Sequence, residues 1–391
     1  MPADTISRFK GLNNTSDPLR VGLGWLARAD NVDVTDTGGL SKRAGYTRTL
    51  AGTLTGAFST FDYARMYFVD GGALKAMAPT PITLKTGLNA APMYFTEIND
   101  DVYYNNGIDT GVIAPDNQVT AWAWEIPTVP TVAAVTGSLT PGLYQVRCTY
   151  TLPDGRRTGA SDSAEITLVA GQALQISAIP QRTGYDTRVW IAPANSTVYQ
   201  DAGVRTSAFV WNSSPDNLGR DGVDLFTNPI PLGCEVIQAW RGRIFAAQYF
   251  PQLDQSAVWS SRPLGFHLFD FDEDVFLVPG HVLMLAPHDD ALIVGTDKAI
   301  HAYDGERIKT LAPYGVTPGW HWSRDDADES GQRVLFWTTH GVCAALPFKN
   351  LTEQSVSVAP GVSAGGAVVR HGGQRRYVAA IKQGGSAFNQ R

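Results

Sequence analysis

Residues 289–305, DDALIVGTDKAIHAYDG, constrain the fold of this chain more than any other stretch. Leu292, Ile293 and Val294 form an apolar run too short for a helix and rich in β-branched side chains. The run predicts a strand over 291–295, a turn at Thr296-Asp297-Lys298 and a second strand over 299–303, ended by turn chemistry at Asp304-Gly305. The same plan recurs at 64–77, 100–113, 241–261, 332–347 and 374–388. Anchored on Met66, Val102, Ile244, Leu292, Leu335 and Tyr377, the spacings are 36, 142, 48, 43 and 42 residues. Four of these sit near the roughly 40–50 residues of one propeller blade. The spacing of 142 exceeds one period by about 100 residues, enough for an inserted module.

The expected architecture is therefore all-β. It is a β-propeller of about five to seven blades, with residues 1–127 as its first part and 231–391 as its second, interrupted by an insert over 128–230. Composition agrees. The chain has 39 Gly and 23 Pro among 391 residues, more than an average share, and no helical pattern of useful length. The insert opens after the linker Pro127-Thr128-Val129-Pro130. It carries alternating segments at 142–150, 161–169, 173–179, 187–191 and 197–200, and seven or so short strands in about 100 residues suggest a β-sandwich. Trp190 and Trp211 read as core of that module. Trp122 and Trp124 alternate in AWAWEIP and are expected on one face of a strand, as core or domain-seam aromatics, with a sugar-stacking platform as the other use.

Charge and cysteine usage exclude some functions. A net charge of −6 on 391 residues gives no basic surface for wrapping nucleic acid, but it leaves room for a tunnel through which DNA slides. Cys148, Cys234 and Cys343 are few, odd in number and far apart, which fits a reducing compartment and no disulfide framework. The start MPADTISRFKG has no apolar segment of a secretory signal, and no run approaches a membrane helix.

Residues 1–28 form a lead-in containing Phe9-Lys10-Gly11-Leu12-Asn13-Asn14. Ala29-Asp30-Asn31-Val32 follows, and then Gly38-Gly39-Leu40, Arg43 and Gly45, with Gly38-Gly39 as a hairpin turn. This series, F-x-G-L-N, then A-x-N-V, then G-G-L-x-x-R-x-G, resembles the N-terminus of the propeller-forming tail nozzle proteins of short-tailed bacteriophages, also described as tail tubular or head-completion stabilising proteins. Phe9, Gly11, Asn13, Asn31, Gly39, Leu40, Arg43 and Gly45 carry the match. Ser261-Arg262-Pro263 before the aromatic run 266–271 is similar to a segment of that family, where a loop rich in Phe follows. In the insert, G-x-Y-x-V-x-x-T-Y from Gly142 and D-G-R-x-T-x-x-S from Asp154 resemble the immunoglobulin- or fibronectin-like modules of phage tail proteins, without the paired cysteines of antibody domains.

The resemblance implies a structural virion protein assembled in the bacterial host cytoplasm. It would form a homo-oligomeric ring, a hexamer, that channels DNA during ejection. The ring would join adaptor or portal components on one side and fibres or a needle on the other, with no membrane span and no catalysis. In the family, the lead-in hairpin is the first propeller hairpin. A distal tail or baseplate component of a long-tailed phage is the alternative within that class. A carbohydrate-binding or glycoside-hydrolysing propeller is the alternative outside it.

Residues that could carry chemistry are scattered. Asp270, Asp272, Glu273 and Asp274 gather four carboxylates in one loop, a solvated acidic turn or a calcium site, although the spacing lacks the EF-hand pattern. Residues 325–329 form a second acidic run, expected in an exposed turn. His281, His288, His301, His321, His340 and His371 recur without ligand spacing. No G-x-S-x-G, phosphate loop or H-E-x-x-H is present, and no aspartate-box turn of a sialidase. The sequence thus assigns no catalytic, cofactor-binding or metal-ligating residue and no cofactor.

Overall fold

The computed structural model describes residues 8–383, apart from 36, 44, 46, 48, 49, 51, 123, 220, 221, 224, 326–332, 358, 360, 372 and 373. The chain is all-β: among these residues there is no α-helix, and antiparallel meanders follow one another. No helix is long and apolar enough to cross a membrane. Residues 326–329 of the second acidic run, and 384–388 of the last expected hairpin, lie outside the described residues.

Four meanders have four strands each, in sequence order. Sheet I is Leu54–Ser59, Met66–Asp70, Ala73–Ala76 and Ile82–Lys85. Sheet II is Tyr94–Ile98, Asp101–Asn105, Thr110–Ile113 and Val119–Thr120. Sheet IV is Val282–Pro287, Leu292–Thr296, Ile300–Tyr303 and Ile308–Ala312. Sheet V is Ser323–Asp325, Arg333–Thr338, Gly341–Ala345 and Lys349–Asn350. Sheet III is larger. Val236–Trp240, Arg243–Phe250, Gln255–Arg262 and Val275–Pro279 make the same meander, and Gly265–Asp270 with Thr227–Asn228 extend it from the end of the third strand. The aromatic run expected as a loop at 266–271 is thus mostly strand.

Why the hairpin strands read as solid apolar runs is now clear. Side chains alternate between faces of a strand, and in this chain both faces are covered by neighbouring sheets. Leu292 and Val294 enter a core shared by sheets III and IV, with Val236, Phe245 and Val258. Ile293, between them, enters the core shared by sheets IV and V, with Phe336 and Cys343. Likewise Val102 and Tyr104 pack between sheets I and II, while Tyr103 packs between II and III. Full burial of each such side chain contributes on the order of 1.5–3 kcal/mol. The sheets therefore stack in the order I, II, III, IV, V. Gly56 sets one of the close approaches: a Cβ there would lie 2.6 Å from the Met93 carbonyl oxygen.

Two elements differ from expectation. The last hairpin pairs Ser363–His371 with Gln374–Lys382 in a two-stranded sheet. Gln374–Lys382 is one continuous strand, and the expected second strand toward residue 388 lies outside the described residues. Its partner was missed because SAGGAVVRH is glycine-rich and weakly patterned. The hairpin Val32–Val34 with Leu40–Lys42 forms as expected, but among the described residues it pairs with no other strand. Gly38 sits at φ +83° in its turn, a conformation that favours glycine. Ala44 and Tyr46, next to the matched residues, lie outside the described ones.

Among the described residues two sheets of the insert hold seven strands, and Thr227–Asn228, also within 128–230, belongs instead to sheet III. Thr131–Thr136, Gln172–Ser177 and Phe209–Trp211 form one sheet. Gly142–Thr151, Ala164–Leu168, Asp186–Ala192 and Gln200–Val204 form the other. Both contribute to one core that includes Tyr144, Val146, Cys148, Leu174, Ile176, Ile191 and Trp211. The segment 197–200, expected as a strand, instead leads into the strand Gln200–Val204.

Candidate functional site

A cavity of about 620 Å³ lies where the leading strands of the sheets converge. Ala57, Phe58 and Ser59 come from the first strand of sheet I, Tyr94 and Phe95 from sheet II, Ile237 and Gln238 from sheet III, and Leu283 to Leu285 from sheet IV. Trp320, Trp322 and Arg324 come from the approach to sheet V and its first strand, and Gly366 and Ala367 from the last hairpin. Phe61 and Tyr63 stand exposed at a mouth. Tyr94 and Trp320 touch across it, ring centres 5.3 Å apart. Burial, with Glu235 nearby, pushes the Tyr94 phenol well above its ordinary range, so it stays neutral and serves as donor or wall.

None of these residues was singled out from sequence. The lead-in to each hairpin is where they lie, so the repeat register was the available signal; what hid them is that a leading strand shows no distinctive composition.

The acidic loop has another role than a free cation site. Asp274 accepts from Arg243 Nη1 at 2.8 Å and from Arg262 Nη1 at 3.1 Å, while Arg262 Nη2 reaches Asp270 at 2.9 Å. The other Asp270 oxygen accepts the amides of Asp272 and Glu273 at 3.0 and 3.1 Å. Two of the four carboxylates are thus engaged in holding the turn, with charge-assisted bonds. Among the described residues no group of three or more His, Cys, Asp or Glu side chains could hold a metal.

The histidines are separate. His281 stacks on Tyr249, His340 packs on Tyr314, and His288, His301 and His321 are buried; the side chain of His371 lies outside the described residues. All three cysteines are free and buried. Burial pushes the Cys148 thiol up to about 12 and raises those of Cys234 and Cys343, which makes them unreactive.

Trp122 and Trp124 do not share a strand, because the preceding strand stops at Thr120. Both are buried, so neither offers a face to a sugar. Trp122 donates Nε1 to the Phe266 carbonyl at 2.8 Å. Trp124 packs edge-on to His267 and under the Arg156 guanidinium, 4.7 Å from its ring centre.

These contacts fasten the insert to sheet III. His267 Nε2 lies 2.8 Å from the Arg157 carbonyl oxygen, and Gly159 passes so close to Thr227 that an added Cβ would sit 1.7 Å from its carbonyl oxygen. Because backbone crowds it there, Gly159→Ala is expected to destabilise the protein by about 2–3 kcal/mol, measured as a lowered urea midpoint. A midpoint unchanged from the parent would show that the joint yields freely.

No family model matches this chain, and no curated protein matches it. Among solved structures it is similar to the extracellular domain of a hybrid two-component system from B. thetaiotaomicron, with 12% identity and a TM-score of 0.31 over 82% of this chain and 36% of that one. It is also similar to the AfRom2 CNH domain, with 11% identity and a TM-score of 0.27 over 83% of this chain and 96% of that one. The chain thus spans about a third of the first. Overlays this loose carry no argument about function.

Proposed function

We propose that this chain is a structural virion protein of a tailed bacteriophage, a β-propeller with an immunoglobulin-like sandwich spliced between its second and third blades. Sheets I to V would be the blades, and the terminal hairpin a reduced sixth. Copies of the chain, about six as the family resemblance implies, form a ring at the distal tail. The ring channels DNA during ejection and anchors further tail parts, without catalysis. It is assembled in the bacterial host cytoplasm, where the three buried thiols stay reduced.

The observation that carries the reading is the N-terminal segment bearing the family-like F-K-G-L-N-N. It reaches the opposite end of the chain. Asn14 Nδ2 donates to the Ser357 carbonyl at 2.9 Å, Asn14 Oδ1 accepts the Ser357 amide at 2.7 Å, and the Asn14 amide donates to the Ser355 carbonyl at 3.0 Å. Asp33 of the following hairpin meets Arg376 of the last strand at 2.6 Å. A segment that ties the first blade's approach to the last blade is what a closed wheel requires, because radial stacking removes the open faces.

The DNA path would run between copies and not through one. A cavity of about 620 Å³ has the size of a small-molecule site and cannot hold a duplex. Electron microscopy of the purified full chain at rising concentration is expected to show closed rings of about six copies with a lumen wide enough for duplex DNA. Particles that remain single at every concentration, and micrographs of the parent virion without a ring at the tail tip, would overturn the assignment.

A further inference from the structure

We propose that the cavity is a binding site for a small planar aromatic ligand bearing one hydrogen-bond donor. This goes beyond the tail reading and does not depend on it. The volume of about 620 Å³ falls within the range of small-molecule sites, which are mostly apolar with few convergent polar groups.

The walls favour a flat apolar molecule. Phe58, Tyr94 and Trp320 line it and are only half-buried, so ring surface remains open. Part of the lining is small: Ala57 on sheet I and Ala367 on the last hairpin are exposed alanines. The gap between first and last sheets is thereby left unfilled, and an aromatic ligand would supply the missing ring with offset or edge contacts.

A buried carboxamide sets the orientation. Gln238 is 3% exposed and lines the cavity. Its Nε2 donates to Thr96 Oγ1 and to the Ala239 carbonyl, both at 3.2 Å, which fixes the carboxamide. Its Oε1 makes no hydrogen bond within the described protein, leaving a fixed acceptor for a ligand N–H or O–H.

Sugars fit less well. A pyranose presents several hydroxyls that need partners when buried. Two of the lining hydroxyls are already engaged: Thr60 donates toward Asp62, and Ser323 accepts the Val368 amide. Trp320 could stack a sugar, but Phe58, Phe95, Ile237, Leu283 and Leu285 would offer its hydroxyls no partner.

The test is calorimetric titration of the full chain with 2-naphthol, a planar ring system with one donor, beside maltotriose and naphthalene. Expected is saturable binding of one 2-naphthol per chain, at least tenfold tighter than naphthalene, with no maltotriose uptake. Ala57→Trp and Ala367→Trp, which fill the gap from either side, should each weaken 2-naphthol binding at least tenfold. Ala367 lies on the exposed terminal hairpin, so that variant remains informative if Ala57→Trp fails to fold. Absence of saturable binding by the parent chain, binding unchanged in the filled variants, or preferential uptake of maltotriose would each overturn the proposal. Ring assembly is read separately by microscopy, so failure here is distinguishable from failure of the tail assignment.

Discussion

Trp122→Ala is expected to lower the unfolding free energy by about 3–5 kcal/mol, the usual range for emptying a buried large aromatic site. Trp122 is 1% exposed and stands between sheets II and III. Its ring meets Tyr103 edge-on at 5.2 Å and Phe269 at 6.1 Å, contacts that add to the area term. Its Nε1 also satisfies the Phe266 carbonyl, which the variant leaves without that donor. Trp122→Phe separates the effects. It keeps a ring in the core but removes the donor, and should cost about 1–2 kcal/mol. Urea unfolding followed by circular dichroism gives both values. A Trp122→Ala protein within 1 kcal/mol of the parent would mean that sheets II and III are held together elsewhere.

That pair of sheets also shows what the sequence disclosed and what it hid. The hairpins were legible because strands buried on both faces lose their polar alternation; Leu292-Ile293-Val294 and Val102-Tyr103-Tyr104 announce themselves as runs. The two sheets between Thr131 and Trp211 were legible through spacing, as a gap of one period plus about 100 residues, and through alternation such as Gly142 to Thr151, where one face packs inward. Trp122 was read as core or seam, which its burial bears out, but its strand was not found there. The chain leaves sheet II at Thr120, and the indole is held by a carbonyl 144 positions away. The cavity was invisible for the same reason: Tyr94, Gln238 and Trp320 meet only when separate sheets stack. The acidic loop was read as solvated or cation-binding because its arginine partners Arg243 and Arg262 precede it on other strands, where spacing shows nothing. The reading as a phage tail protein came from the N-terminal motif, a segment that the structure ties to Ser355 and Ser357.

Lowering the pH from about 6.5 to about 4 is expected to remove about 3 kcal/mol of stability through His321 alone, an upper figure for one buried imidazole. His321 is fully buried, and burial lowers its pKa from 6.5 to about 4. Its Nδ1 accepts the Trp337 amide at 3.0 Å, so the neutral form carries its proton on Nε2. Between the two pKa values the unfolded chain binds the proton and the folded chain does not. Acid therefore draws the equilibrium toward unfolding; the contribution is complete above about 6.5 and is lost as pH falls toward 4. His321→Gln retains an acceptor for the Trp337 amide without an acid-base group. Its stability should be lower than the parent's at pH 7.5 but flatter with pH, so the two curves converge near pH 4.5. His301, whose pKa burial also lowers, keeps some slope in the variant. Unfolding free energies from urea titrations at pH 7.5, 6.5, 5.5 and 4.5 decide it: parallel curves for parent and variant would show that the imidazole is solvated before the fold gives way.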